Sequence, residues 1–93
     1  MWQLYLAWEG ADQDKLFNGK GREAIEEGKA YSVANGFDNP FIYLNYADRS
    51  QKPLESYGAA NVAKIRAASW KYDPTGVFQT LMPGGFKISQ VVA

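Results

Sequence analysis

Residues 2–8, Trp2-Gln3-Leu4-Tyr5-Leu6-Ala7-Trp8, place Trp2, Leu4, Leu6 and Trp8 on one side of an extended chain. A period of two marks a strand with one apolar face. The free edge of such a strand must pair with another strand of this chain or with another molecule.

After this segment, Asp12 and Asp14 are good helix-start residues, and Asn35-Gly36 is a good stop. The helix between them has an inward stripe of Phe17, Gly21, Ala24/Ile25, Gly28, Tyr31/Ser32 and Asn35. Gly21 and Gly28 allow close approach to a sheet, at a cost of about 1 kcal/mol each in helix propensity. Asn18-Gly19 offers an earlier break. A second strand is expected over Phe41–Tyr46, with Ile42, Leu44 and Tyr46 on one face and Phe41, Tyr43 and Asn45 on the other. A polar loop with Pro53 leads to a second helix, Ala59–Lys71, whose stripe is Val62, Ile65, Ser69 and Tyr72. Asp73-Pro74 and Gly76 end it. Val77–Leu81 and Phe86–Ile88 read as short extended pieces around the turn Pro83-Gly84-Gly85. The expectation is one α+β domain over 1–93, ordered β-α-β-α, with a small sheet packed by two helices. Two strands make too small a sheet to stand alone. Tail strands or self-association are expected to complete it, which makes a homo-oligomer the expected state.

The composition narrows the chemistry. The apolar fraction is 46% and the aromatic fraction 15%, enough for an aromatic-rich core without staples. Ten basic and ten acidic residues cancel, so no nucleic-acid or anionic-membrane partner is expected. The absence of Cys and His removes disulfides, thiolate nucleophiles, zinc sites and imidazole catalysis. Proton transfer falls to Tyr, Asp, Glu or Lys. No run approaches the roughly 20 apolar residues of a membrane span, and a cytoplasmic location is the default expectation.

Three motifs remain: Tyr43-Leu44-Asn45-Tyr46-Ala47-Asp48, then Tyr57-Gly58, then Lys71-Tyr72-Asp73-Pro74 with Val77-Phe78 and the closing Pro83-Gly84-Gly85-Phe86-Lys87. In this order and spacing they resemble the C-terminal segment of the berberine-bridge-enzyme-like FAD-linked oxidases, from about Trp2 to Ile88. The resemblance implies that the first strand and helix belong to a substrate-binding domain. It also implies that Asn45 lies against the flavin, and that Tyr46 faces the substrate, where it serves some members as general base. The implied substrate pocket is lined by Trp8, Tyr43, Asn45 and Tyr46. Trp70 departs from the family pattern, which has a small or polar residue there. With Ala63 and Ala67 it makes a second apolar side on the helix, for which a partner chain is the expected cover.

Each residue also has a plainer reading. A phenol near its ordinary value of about 10 is a poor base at neutral pH, so Tyr46 needs a cation such as Arg49, Lys52 or Arg66 nearby. As an acid or hydrogen-bond donor it needs none, and it also reads as a buried structural tyrosine. Asp73 reads as a helix-exit residue, Asp48 as a loop acid accepting N–H groups, and Glu23, Glu26 and Glu27 as a solvated face. The sequence has no glycine-rich strand-to-helix phosphate turn, so no cofactor is expected in this chain alone, FAD being the family's cofactor. Three functions stay open. The first is a stand-alone, flavin-free domain that binds an apolar natural-product intermediate and promotes cyclisation or isomerisation through Tyr46. The second is a segment that completes a split FAD-linked oxidoreductase. The third is a non-catalytic interaction module.

Overall fold

The computed structural model describes residues 2–92. It divides into two compact units, 1–39 and 40–93. The regular elements are helices: α1 (Asp14–Ala34), α2 (Ala59–Tyr72) and the single turn α3 (Val77–Thr80), with short 3₁₀ turns between and beyond them.

In the first unit the N-terminal segment lies along α1. Trp8 stacks on Phe17 with centroids 5.4 Å apart, and its indole N–H donates to Asp14 Oδ1 at 2.7 Å. A β-carbon on Gly21 would sit 3.1 Å from Leu6, and one on Gly28 only 2.7 Å from the Trp2 ring. From Phe17 to Gly28 the helix advances about 16 Å at ~1.5 Å per residue. The segment covers that length between Trp8 and Trp2, which requires a nearly extended chain running antiparallel to the helix. The predicted alternation and the glycine stripe therefore meet each other directly. Gly21 and Gly28 make two notches in the face of α1, and alternate side chains of residues 2–8 rest in them.

The end of α1 follows from Asn35-Gly36. Gly36 has φ 74, and its N–H reaches the Val33 carbonyl at 3.2 Å while the Phe37 N–H reaches Ser32 at 3.1 Å. These two bonds form a Schellman cap, supported by an edge contact between Phe37 and Tyr31. Ser32, buried at this end, donates its hydroxyl to the Lys29 carbonyl at 2.9 Å. The helix runs unbroken through Asn18-Gly19. On its exposed side Lys20 meets Glu23 at 2.7 Å, and this hydrogen-bonded carboxylate raises the lysine above its ordinary range. Both side chains are well exposed, so the pair is screened.

The expected α+β sheet does not form, because no strand occurs among the described residues. Residues 2–8 lie along α1, and they join no ladder among the described residues. Phe41–Tyr46, the predicted partner, curls into a 3₁₀ turn over Leu44–Tyr46, with the Tyr46 N–H bonded to the Tyr43 carbonyl at 3.2 Å. Ahead of that turn the Ile42 N–H is taken by the Ser56 hydroxyl at 3.0 Å, a side-chain bond in place of a ladder bond. Val77–Leu81 is helical rather than extended because Asp73 caps it. Its two carboxylate oxygens accept the N–H groups of Val77 and Phe78 at 2.8 and 2.9 Å. Phe86–Ile88 leads into another 3₁₀ turn, Ile88–Gln90.

The core of the second unit is Leu54, Val62, Ile88 and Val91, with Leu44, Tyr57, Ile65 and Phe86 packed against it. Pro53 is fully buried, and the Arg66 guanidinium donates to the Val91 carbonyl, fastening the C-terminal turn to α2. Of the predicted stripe, Val62 and Ile65 pack inward, while Tyr72 is 76% exposed. Trp70 is 73% exposed, and Ala63 and Ala67 are exposed with it, as the two-sided helix pattern predicts.

Two substitutions test the glycine notches. Gly19→Ala, with open space around its added methyl, raises stability by about 0.5–1 kcal/mol through helix propensity. Gly28→Ala gains no such amount, because its methyl must displace Trp2. Thermal unfolding followed by circular dichroism measures both, and equal stabilisation would show that Trp2 is not seated on the helix. Asp73→Ala removes the cap of α3 and lowers stability by about 1 kcal/mol in the same measurement.

Candidate functional site

Residues 43–46 form the one place where sequence-predicted site residues come together. The 3₁₀ turn brings the Tyr43 and Tyr46 rings edge to face, with centroids 5.4 Å apart and planes at 62°. Between them the Asn45 amide donates to the Tyr43 hydroxyl at 2.9 Å. On a regular strand Asn45 and Tyr46 would point to opposite faces. The turn removes that obstacle, and Tyr43, Asn45 and Tyr46 share one exposed cluster.

This cluster is well anchored from below. Leu44 packs on the core, and Phe41 stacks on Tyr57 at 5.5 Å. The Ser56 hydroxyl accepts from Ile42 and donates to the Pro53 carbonyl at 2.6 Å, tying residues 40–43 to the loop before α2. On the far side Asp48 closes a turn as expected of a loop acid. Its Oδ1 accepts the Ser50 N–H at 2.9 Å, and its own N–H is held by Gln51.

Tyr46 is 65% exposed, so the buried structural tyrosine is not what the chain forms. Of the three cations proposed for it, Arg66 is committed to the Val91 carbonyl, and Arg49 and Lys52 line a separate concavity. Trp8, the fourth expected pocket residue, belongs to the other unit, where its ring and its N–H engage Phe17 and Asp14. Two concavities stand out in the molecule. One of about 460 Å³ follows the outer side of α1 and is lined by Asp12, Lys15, Leu16, Gly19, Lys20 and Glu23. The other, of about 180 Å³, lies beside the C-terminal turn. Neither is lined by Tyr43, Asn45 or Tyr46, which stand as a wall rather than a pocket.

The sequence reading missed the Tyr43–Asn45 hydrogen bond and the part played by Ser56. Both depend on a local reversal at Leu44–Tyr46 that the alternation of residues 41–46 masks. Asn45 and the polar Asp48 turn were the available signals that the strand pattern ends early.

Comparison with known proteins finds relatives of which the chain matches a part. The chain is 49% identical over 84 residues to the FAD-dependent monooxygenase drtC of Aspergillus calidoustus, which spans 90% of the chain and 16% of that relative. It is 43% identical over 84 residues to the FAD-dependent monooxygenase sdcF of Emericella nidulans, covering 90% of the chain and 18% of the relative. The bifunctional solanapyrone synthase of Alternaria solani is 44% identical over 81 residues, covering 87% of the chain and 16% of the relative. The chain thus spans about one sixth of the length of these curated relatives. No family model matches it. No solved structure matches it either. No helix among the described residues is long and apolar enough to cross a membrane.

FAD, the cofactor in two of those names, does not fit this chain by itself. Among the described residues the Tyr43–Asn45–Tyr46 group is an exposed wall, and neither concavity named above is lined by it. The first turn of α1 carries Asp14, with Asp12 in the turn just before it, and their charge opposes a pyrophosphate at that helix end.

The exposure of Tyr46 has a direct consequence. Among the described residues nothing hydrogen-bonds its hydroxyl, so Tyr46→Phe leaves stability within about 0.5 kcal/mol of the parent in a urea unfolding titration. A larger loss would mean that the hydroxyl is buried in a contact different from the one described.

Proposed function

We propose that this chain is a segment of an FAD-dependent oxidoreductase of the berberine-bridge-enzyme type, acting on small molecules of fungal secondary metabolism. In this reading Asn45 and Tyr46 form part of the substrate-side wall, while other polypeptide holds the flavin. The observation that carries the reading is the 49% identity to an FAD-dependent monooxygenase over 90% of the chain. The exposed wall supports it, since a Tyr-Asn-Tyr group with a supported base and an open face suits a site completed from outside. Exposed Trp2, Tyr5, Phe78 and Leu81 supply apolar surface for that cover.

The chemistry assigned to this chain is positioning and proton handling. The Tyr43 ring fixes one side of Tyr46, and Asn45 has an amide oxygen left to accept from a substrate or cofactor donor. The Tyr46 hydroxyl donates to, or exchanges a proton with, a polar atom of the substrate. Electron transfer belongs to FAD, which the rest of the enzyme supplies. Neither concavity described above is lined by Tyr46, so we favour the flavoenzyme reading over a flavin-free cyclase. Self-association through the exposed Trp70 face is the reading that Trp70 itself favours, and light scattering of the purified chain addresses it.

The test is a segment exchange. This chain replaces the matching segment of the Aspergillus calidoustus relative, and the flavin spectrum and turnover are measured. The expected product is a yellow, active protein in which Tyr46→Phe lowers kcat by roughly 10²–10⁴ with the flavin spectrum unchanged. Full activity of the Tyr46→Phe exchange protein would overturn the assignment.

A further inference from the structure

The two tyrosines of the 43–46 cluster are not equivalent. Tyr43 is 39% exposed and Tyr46 65%, so Tyr43 is the more sheltered of the pair. Three links meet on Tyr43. Its carbonyl accepts the Tyr46 N–H at 3.2 Å, its ring meets the Tyr46 ring edge to face at 5.4 Å, and its hydroxyl accepts an N–H of the Asn45 amide at 2.9 Å. Leu44, the next residue, packs on the core and seats the turn. Among the described residues the Asn45 side chain makes no other hydrogen bond. Without the Tyr43 hydroxyl its amide would be free to turn, because the last torsion of an asparagine has a broad, roughly two-fold preference.

The geometry points to Tyr43 as a positioning residue, whose hydroxyl presets the Asn45 amide for a ligand that meets the wall. This deepens the flavoenzyme reading and rests on it. With one N–H spent on Tyr43, the amide keeps its oxygen and one N–H for a polar group of that ligand. A side chain already held in place need not be ordered when the ligand arrives, and that saving appears as tighter binding. The hydroxyl itself need touch no ligand, because it acts through Asn45. The ring has a separate part, since it flanks Tyr46 whether or not the hydroxyl is present. Tyr43→Phe therefore separates the two, removing the tether of Asn45 and keeping the packing on Tyr46.

The test has two arms. In the full chain, the side-chain amide resonances of asparagines are followed by NMR. Tyr43→Phe should move those of Asn45 and leave those of Asn18 and Asn61, which donate to the Asp14 and Tyr57 carbonyls, where they were. Unmoved Asn45 resonances would overturn the proposal. In the segment-exchange protein, Tyr43→Phe should lower kcat/KM roughly three- to tenfold, the worth of ordering one side chain, with flavin spectrum and unfolding midpoint unchanged. The same substitution should have little further effect in an Asn45→Ala background, because the two residues act as one unit. An unchanged kcat/KM, or a loss just as large without Asn45, would overturn the proposal and leave the flavoenzyme reading standing. An exchange protein that binds no flavin or is inactive with Tyr43 and Asn45 intact would instead sink that reading, and this inference with it. Should Asn45→Ala alone abolish turnover, the NMR arm and the Tyr43→Phe rate decide.

Discussion

An extended backbone must place its N–H and C=O groups somewhere, and residues 2–8 have no ladder in which to place them. Everything else in the first unit follows from this. Side chains hold the segment, through Trp8 on Phe17 and through Trp2 and Leu6 in the notches at Gly28 and Gly21. Burying one apolar face against a helix leaves both edges and the other face open, and Tyr5 is 83% exposed as a result.

The second unit solves the same problem differently. Its potential strand at residues 41–46 is short, and the chain satisfies it with a side-chain acceptor, Ser56, and a 3₁₀ reversal. That reversal turns an alternating pattern into a cluster, because it brings Tyr43, Asn45 and Tyr46 together. The core beneath them is small, four buried apolar residues and Pro53, so apolar surface remains outside it at Trp70, Tyr72, Phe78 and Leu81.

The sequence made much of this legible, and its main failure is the sheet; the extended reading of Val77–Leu81 also fails, because the Asp73 carboxylate starts a helical turn there. Helices α1 and α2, the Asn35-Gly36 stop, the uncovered Trp70 side and the roles of Asp48 and Asp73 follow from local rules of capping and periodicity. Those rules need only neighbours within a few residues, and the chain contains them. The sheet was the error. Alternation in residues 2–8 and 41–46 reports a preference for extended backbone, but pairing is a non-local event that local pattern cannot establish. The site was legible only through resemblance. Tyr46 and Asn45 carry no spacing signature of their own, and their meeting depends on a reversal that the alternation concealed.

The central claim is that residues 2–8 are held on α1 by side chains, through Trp8, Leu6 and Trp2, and not by ladder bonds. Native-state hydrogen exchange at the amides of residues 3–7 tests it most directly. In the chain by itself these amides should exchange close to the rate of an unstructured peptide, while those in the middle of α1 are protected. Strong protection of residues 3–7 in the chain would contradict the account.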